Sequence, residues 1–311
     1  MAIDPNIKLL LEQLNEGDTP PISSMTPVEA RPMLRGIAAL DGPSQEVGAV
    51  ADRTVPGPAG AIPVRIYRPQ SDDGSALPVL VWYHGGGFVL GDLETADPTA
   101  RKLANRSGAV VVSVDYRLAP EDPFPAGVDD SWAVLEWVAT HGDELAANSS
   151  RLAVGGDSAG GNLAAVMAQR AAGRGAPALR AQLLVYPVTD LRMTHPSIIE
   201  NGEGYLLTRE SMRWFHDLYL GPDGDPSNPV ASPLLAEDVS DVAPAIVVTA
   251  GFDPLRDEGD AYAERLDASG VKVTHLRYDD MIHGFASMAA VTPRTDEMLT
   301  EVGEALRGLL A

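Results

Sequence analysis

The chain has no cysteine among its 311 residues, so disulfides, thiolate metal sites and cysteine nucleophiles are all excluded. Lysine is nearly as scarce. Lys8, Lys102 and Lys272 are the only ones, and arginine carries the rest of the positive charge. With 23 basic against 44 acidic residues, the formal net charge is −21. That balance argues against nucleic acid and stable membrane association, since both need clustered Lys and Arg. A specific acidic partner is disfavoured for the same reason. A solubilising acidic surface encoded by a GC-rich genome accounts for the charge, and salt adaptation is the sharper alternative.

Other signals are missing too. No uncharged stretch approaches the ~18 apolar residues of a membrane span. Residues 1–12 lack a basic segment followed by an apolar core, so the expected location is the cytoplasm. There is no G-x-x-x-x-G-K-[ST], no H-E-x-x-H and no close histidine pair. Asp223-Gly224-Asp225-Pro226-Ser227 begins like a calcium loop, but Asn228 and Leu234 stand where Gly and Glu are needed, so it reads as a turn. No cofactor and no metal are expected.

What remains is an ordinary globular composition, 45% hydrophobic and 22% charged. A chain of this length buries about three quarters of its unfolded surface. Apolar residues recur at helical spacing over 5–15 and 27–40, with Thr26 as N-cap before Pro27. Residues 62–67 alternate as a strand does. Near-continuous apolar runs follow at 78–83, 109–114, 152–155, 181–186 and 245–250, as suits strands buried on both faces of a parallel sheet. Helical patterns at 97–106, 129–141, 159–172, 257–268 and 295–310 separate or follow them. The alternation predicts an open, mostly parallel α/β sheet flanked by helices. It breaks between 190 and 244, where one helix (209–220) and Pro/Gly-rich loops read as a cap packed with the N-terminal helices. The expected organisation is cap helices at 1–45, core at 46–190, cap insertion at 191–243 and core again at 244–311.

Two motifs carry chemistry. Gly156-Asp157-Ser158-Ala159-Gly160 sits between a buried strand and the small-residue start of a helix. A lone G-x-S-x-G is weak evidence in a chain with 30 glycines. Here the context is that of a nucleophile elbow, which needs small residues where strand and helix approach around a strained turn. The plainer reading of Ser158 is a helix N-cap. About seventy residues earlier, His84-Gly85-Gly86-Gly87-Phe88 ends another strand. Its glycines leave successive N–H groups free to face a bound oxyanion, and the N–H of Ala159 would be the third donor. His84 precedes the serine, which points to a structural role.

The base must be His195, His216, His275 or His283. The first two fall in the expected cap, and His275 lies inside the strand-like segment 271–278. His283 follows that strand on a loop able to reach the sheet edge, and is the choice. Asp253 comes directly off the strand before it and is the expected orienting acid. Asp257 is the runner-up and reads better as the opening of the next helix.

His84-Gly85-Gly86-Gly87-Phe88, Tyr116-Arg117-Leu118-Ala119-Pro120-Glu121, Gly156-Asp157-Ser158-Ala159-Gly160-Gly161, Asp253 to Gly259 and His283-Gly284-Phe285 stand in an order and spacing that resembles the bacterial hormone-sensitive-lipase family. The match runs from about residue 47 to the C-terminus. The resemblance implies the α/β-hydrolase fold with a helical cap, built from the N-terminus and a mid-chain insertion, and carboxylesterase activity. It implies Ser158, Asp253 and His283 as catalytic triad and Gly86, Gly87 and Ala159 as oxyanion donors. The implied partners are a small-molecule ester, cleaved with short- to medium-chain acyl groups, and a second copy in a homodimer paired through edge strands. Phe88 departs from the Trp that relatives frequently carry. Ser158 argues against a dehalogenase or epoxide hydrolase, which would want Asp at the elbow. The intact His283 argues against a hormone-binding receptor of the same fold.

Overall fold

The computed structural model describes residues 2–16, 20–70 and 76–311. Two helices open the chain, α1 (Pro5–Glu16) and α2 (Pro27–Ala38). Thr26 caps α2 in a capping box with Glu29, as the Thr-Pro start predicts. Strands β1 (Ala49–Gly57) and β2 (Gly60–Arg68) form a hairpin. After it come β3 (Leu77–Tyr83), α3 (Leu93–Ser107), β4 (Val110–Val114), α4 (Ala126–Thr140), β5 (Ala147–Asp157), α5 (Ala159–Arg174) and β6 (Ala181–Val185). The short α6 (Ser197–Glu200) and α7 (Arg209–Leu220) interrupt the alternation. It then resumes with β7 (Ala245–Phe252), α8 (Arg256–Ala268), β8 (Val273–Ile282) and α9 (Arg294–Leu310).

Among the described residues the strands form one eight-stranded sheet in the order β1-β2-β4-β3-β5-β6-β7-β8. The β1–β2 and β2–β4 pairs are antiparallel and the others parallel. β4 and β6 are buried at every position, which is why they read as unbroken apolar runs. Successive side chains face opposite layers. Val79, Val81 and Tyr83 point to one core with α4, α5 and α8; Leu80 and Trp82 point to the other with α1, α3 and α9.

The differences from expectation have local causes. β1 shows no apolar periodicity because it is an edge strand in which only Val55 is buried. α3 starts at Leu93 rather than 97 because Asp92 caps it reciprocally with Thr95. β5 begins at Ala147, and β8 runs on through Ile282. No strand lies between residues 190 and 244.

Register decides what meets at the C-terminal edge. Tyr83 pairs with Val114 and with Gly156, Asp157 with Val185, and Phe252 with Ile282. The loops that follow β3, β5, β6, β7 and β8 therefore emerge side by side, where open α/β sheets bind their ligands.

Candidate active site

Ser158 occupies the turn between β5 and α5 with φ 56° and ψ −118°. A non-glycine residue there costs roughly 1–3 kcal/mol, so neighbours must hold it. Its N–H donates to the Val185 carbonyl of β6 (2.9 Å), and its carbonyl accepts from the N–H groups of Asn162 (3.1 Å) and Val188 (3.2 Å). The glycine at 160 is imposed by close approach: a Cβ would run into the carbonyl oxygens of Tyr83 and His84. The Ser158 side chain makes no capping bond to the helix, so the N-cap reading does not hold. It faces His283 instead.

His283 leaves the end of β8, and Gly284 turns the chain behind it at φ 84°. Its Nε2 lies 3.0 Å from Ser158 Oγ and its Nδ1 2.8 Å from Asp253 Oδ2. Asp253 is fully buried; its other oxygen accepts the Leu255 N–H at 2.8 Å, and Asn201 Nδ2 reaches its carbonyl at 3.1 Å. A carboxylate fixed in this way orients an imidazole whose far nitrogen touches a hydroxyl, the geometry nucleophile activation requires. Ser158 is 9% and His283 8% exposed, so the centre is narrow.

The competing residues lie elsewhere. Asp257 sits in the first turn of α8, where it accepts the Ser197 N–H (2.8 Å) and faces Arg256 Nε (2.8 Å). His195 pairs with Asp190 at 3.3 Å, and His275 meets Thr249 and Asp260. His216 is buried, and desolvation pulls its pKa down to about 4.

The glycine loop is fastened to the elbow. Gly85 N–H donates to Asp157 Oδ1 at 3.0 Å, Tyr116 OH donates to the His84 carbonyl at 2.7 Å, and the two rings stack at 4.4 Å. His84 is thus held as structure, and burial lowers its pKa. Gly86 and Gly87 have φ values of 117° and 61°. Outside the regular helix and strand ladders, no backbone hydrogen bond among the described residues uses the N–H of Gly86, Gly87 or Ala159. The Phe215 ring of α7 lies directly over Gly87, and Phe88 stacks on Tyr219 at 3.8 Å between centroids.

Several neighbours carry no signal in the sequence beyond their type. Asp157 and Tyr116 stand inside quoted motifs, yet their links to Gly85 and His84 join distant segments. Asp157 keeps some solvent contact, but the atoms packed round its carboxylate push its pKa up to about 6, against the Gly85 N–H and His283, which act the other way. Tyr186, directly after β6, has φ 35° and its ring lies 4.6 Å from that of His283. No group of three or more His, Asp or Glu among the described residues is placed to hold a metal ion.

Comparison with known proteins gives a consistent picture. A family model described as alpha/beta hydrolase fold matches residues 80–287. The carboxylic ester hydrolase LipN of Mycobacterium tuberculosis is 46% identical over 292 residues, covering 91% of this chain and 77% of that protein. The ethyl acetate hydrolase of Pseudomonas putida is 36% identical, over 99% of both chains. Among solved structures, an alpha/beta hydrolase from the metagenome of Lake Arreo superposes with a TM-score of 0.95 at 39% identity, over 98% of both chains.

Proposed function

Because the chain belongs to the alpha/beta hydrolase fold family, in its hormone-sensitive-lipase type, we propose that this carboxylic ester hydrolase works by two-step acyl transfer on Ser158. Ser158 Oγ attacks the ester carbonyl while His283 Nε2 takes its proton. Asp253 holds the imidazole tautomer and stabilises its charged form. The N–H groups of Gly86, Gly87 and Ala159 receive the oxyanion, each worth about 3–4 kcal/mol of barrier. His283 then returns the proton to the departing alcohol. Water attacks the acyl-enzyme, gives its proton to His283, and the acid leaves as Ser158 recovers it.

The observation that carries this reading is the unbroken contact from Ser158 Oγ through His283 to Asp253 at 3.0 and 2.8 Å. The site opens at the N-terminus of α5, whose dipole favours the developing negative charge. We assign residues 1–45 and 191–243 to a cap over it, and 46–190 with 244–311 to the catalytic core. Two contacts support the cap: Phe215 lies against Gly87, and α7 packs on the short 3-10 turn Ile22–Ser24 of the N-terminal segment. Aromatic side chains set this close to the nucleophile favour short- to medium-chain acyl groups. The test is kcat/KM across p-nitrophenyl esters from acetate to palmitate, with Ser158→Ala as blank. A short-chain maximum that vanishes in the variant is expected. A maximum at palmitate overturns the chain-length reading, and retained turnover in Ser158→Ala overturns the nucleophile.

A further inference from the structure

One buried charged pair has no part in the chemistry above. Lys102, on α3, and Asp41, in the short 3-10 turn Ala39–Asp41, form an ion pair with side chains 4% and 1% exposed. Lys8 and Lys272, the other lysines, lie at the surface. An isolated buried pair is no reliable source of stability, because desolvating two charges offsets their attraction. Its placement has another consequence. Asp41 Oδ1, the oxygen on Lys102, also accepts the Ala289 N–H at 3.3 Å. The neighbouring Leu40 carbonyl accepts the Ala290 N–H at 2.9 Å. From α3, Thr99 Oγ1 lies 3.4 Å from Ser287 Oγ. Ser287, Ala289 and Ala290 belong to the loop that starts at His283. The loop is also held elsewhere: Thr295 Oγ1 donates to the Phe285 carbonyl at 2.5 Å, and the Phe285 ring packs beside Tyr186 and Tyr278 at 5.9 and 5.2 Å between centroids.

We propose that Asp41, held by Lys102, is a positioning residue for the catalytic base: it clamps the loop behind His283 and so keeps the imidazole between Ser158 and Asp253. The N-terminal segment then does more than cover the site; it supplies a wall of the base's mounting. Lys102 fixes where the carboxylate stands, and the carboxylate fixes Ala289. The proposal rests on His283 being the base.

Asp41→Asn leaves Lys102 buried without a counter-ion and risks unfolding, so the deciding variant is the double Asp41→Leu/Lys102→Met. It replaces the pair with apolar groups of similar volume and removes the acceptor for Ala289. The readouts are kcat and KM for p-nitrophenyl acetate, thermal unfolding, and the downfield proton resonance of the His283–Asp253 hydrogen bond. The expected result is a folded protein with kcat reduced about tenfold, KM within twofold of the parent, and that resonance shifted or broadened. A folded double variant with parental kcat and an unchanged resonance overturns the proposal. His283→Ala is the control: if it keeps parental turnover, the base assignment itself fails, whatever the double variant does.

Discussion

Ser158, Asp253 and His283 each stand at or just past the end of a paired strand, whereas α2 and α7 reach the same edge through side chains. The strand ends are locked by backbone register, with Asp157 opposite Val185 and Phe252 opposite Ile282. A side-chain substitution leaves those ladders in place. α2 is held differently. Arg31 donates to the Val89 carbonyl (3.1 Å) and pairs with Glu121 (2.6 Å), and Arg35 pairs with Asp92 (2.5 Å). α7 rests mainly on aromatic contact, Tyr219 being stacked on Phe88 and set edge-on to Phe124 at 5.6 Å, with one backbone bond from the Phe124 N–H to the Tyr219 carbonyl at 2.8 Å. The three proposed catalytic residues thus sit at the ends of hydrogen-bonded strands. α2 and α7 are attached mainly by exchangeable side chains, so residues there can change without touching the strand register.

The comparison breaks most visibly at the strand ends. Asp253→Asn should keep the fold and lower kcat by about 10⁴-fold, because the amide favours the wrong imidazole tautomer; steady-state kinetics with circular dichroism checks both halves. In α7, Tyr219→Ala removes a buried ring and should cost about 3–5 kcal/mol in denaturant unfolding while moving the ester optimum toward longer chains. Tyr219→Phe keeps the stack and removes a buried hydroxyl that has no partner among the described residues, so it should be neutral or stabilising.

Asp157 joins the ends of β3 and β5 and yields a pH test. Burial raises its folded pKa to about 6 from the ordinary 3.8, so between those values the folded state binds more protons than the unfolded state. Its contribution to stability is therefore present at low pH and lost as pH rises toward 6. Asp157→Asn keeps an acceptor for Gly85 N–H and removes the buried charge. Its Tm at pH 7 should rise, and Tm should vary less between pH 4 and 6. The smallest effect belongs to Arg35→Ala. The arginine of that pair is exposed, so its loss should shift the unfolding midpoint least of these variants, and less still as salt is added.

How much of this was legible follows the same division. β3, β4 and β6 announce themselves because both faces are buried, and the G-x-S-x-G elbow because close packing at Gly160 admits no side chain. Asp253 and His283 could be chosen by position, since each ends or follows a readable strand. β1 was not legible, because an edge strand exposed on both faces carries no periodic pattern. Neither was α6, a single turn among loops. The fastenings escaped for another reason. Asp157 to Gly85, Phe215 to Gly87 and Asp41 to Ala289 join residues far apart in the chain, and no local pattern records which side chains will meet.

In the proposed mechanism Ser158 Oγ, activated by His283, takes the acyl group. The most direct test is to treat the protein with a p-nitrophenyl alkylphosphonate, follow nitrophenol release, and locate the adduct by peptide mass spectrometry. One phosphonyl group per chain is expected, on Ser158, absent from Ser158→Ala and formed at least a thousandfold more slowly in His283→Ala. Labelling at any other residue, or an undiminished rate in His283→Ala, would contradict it.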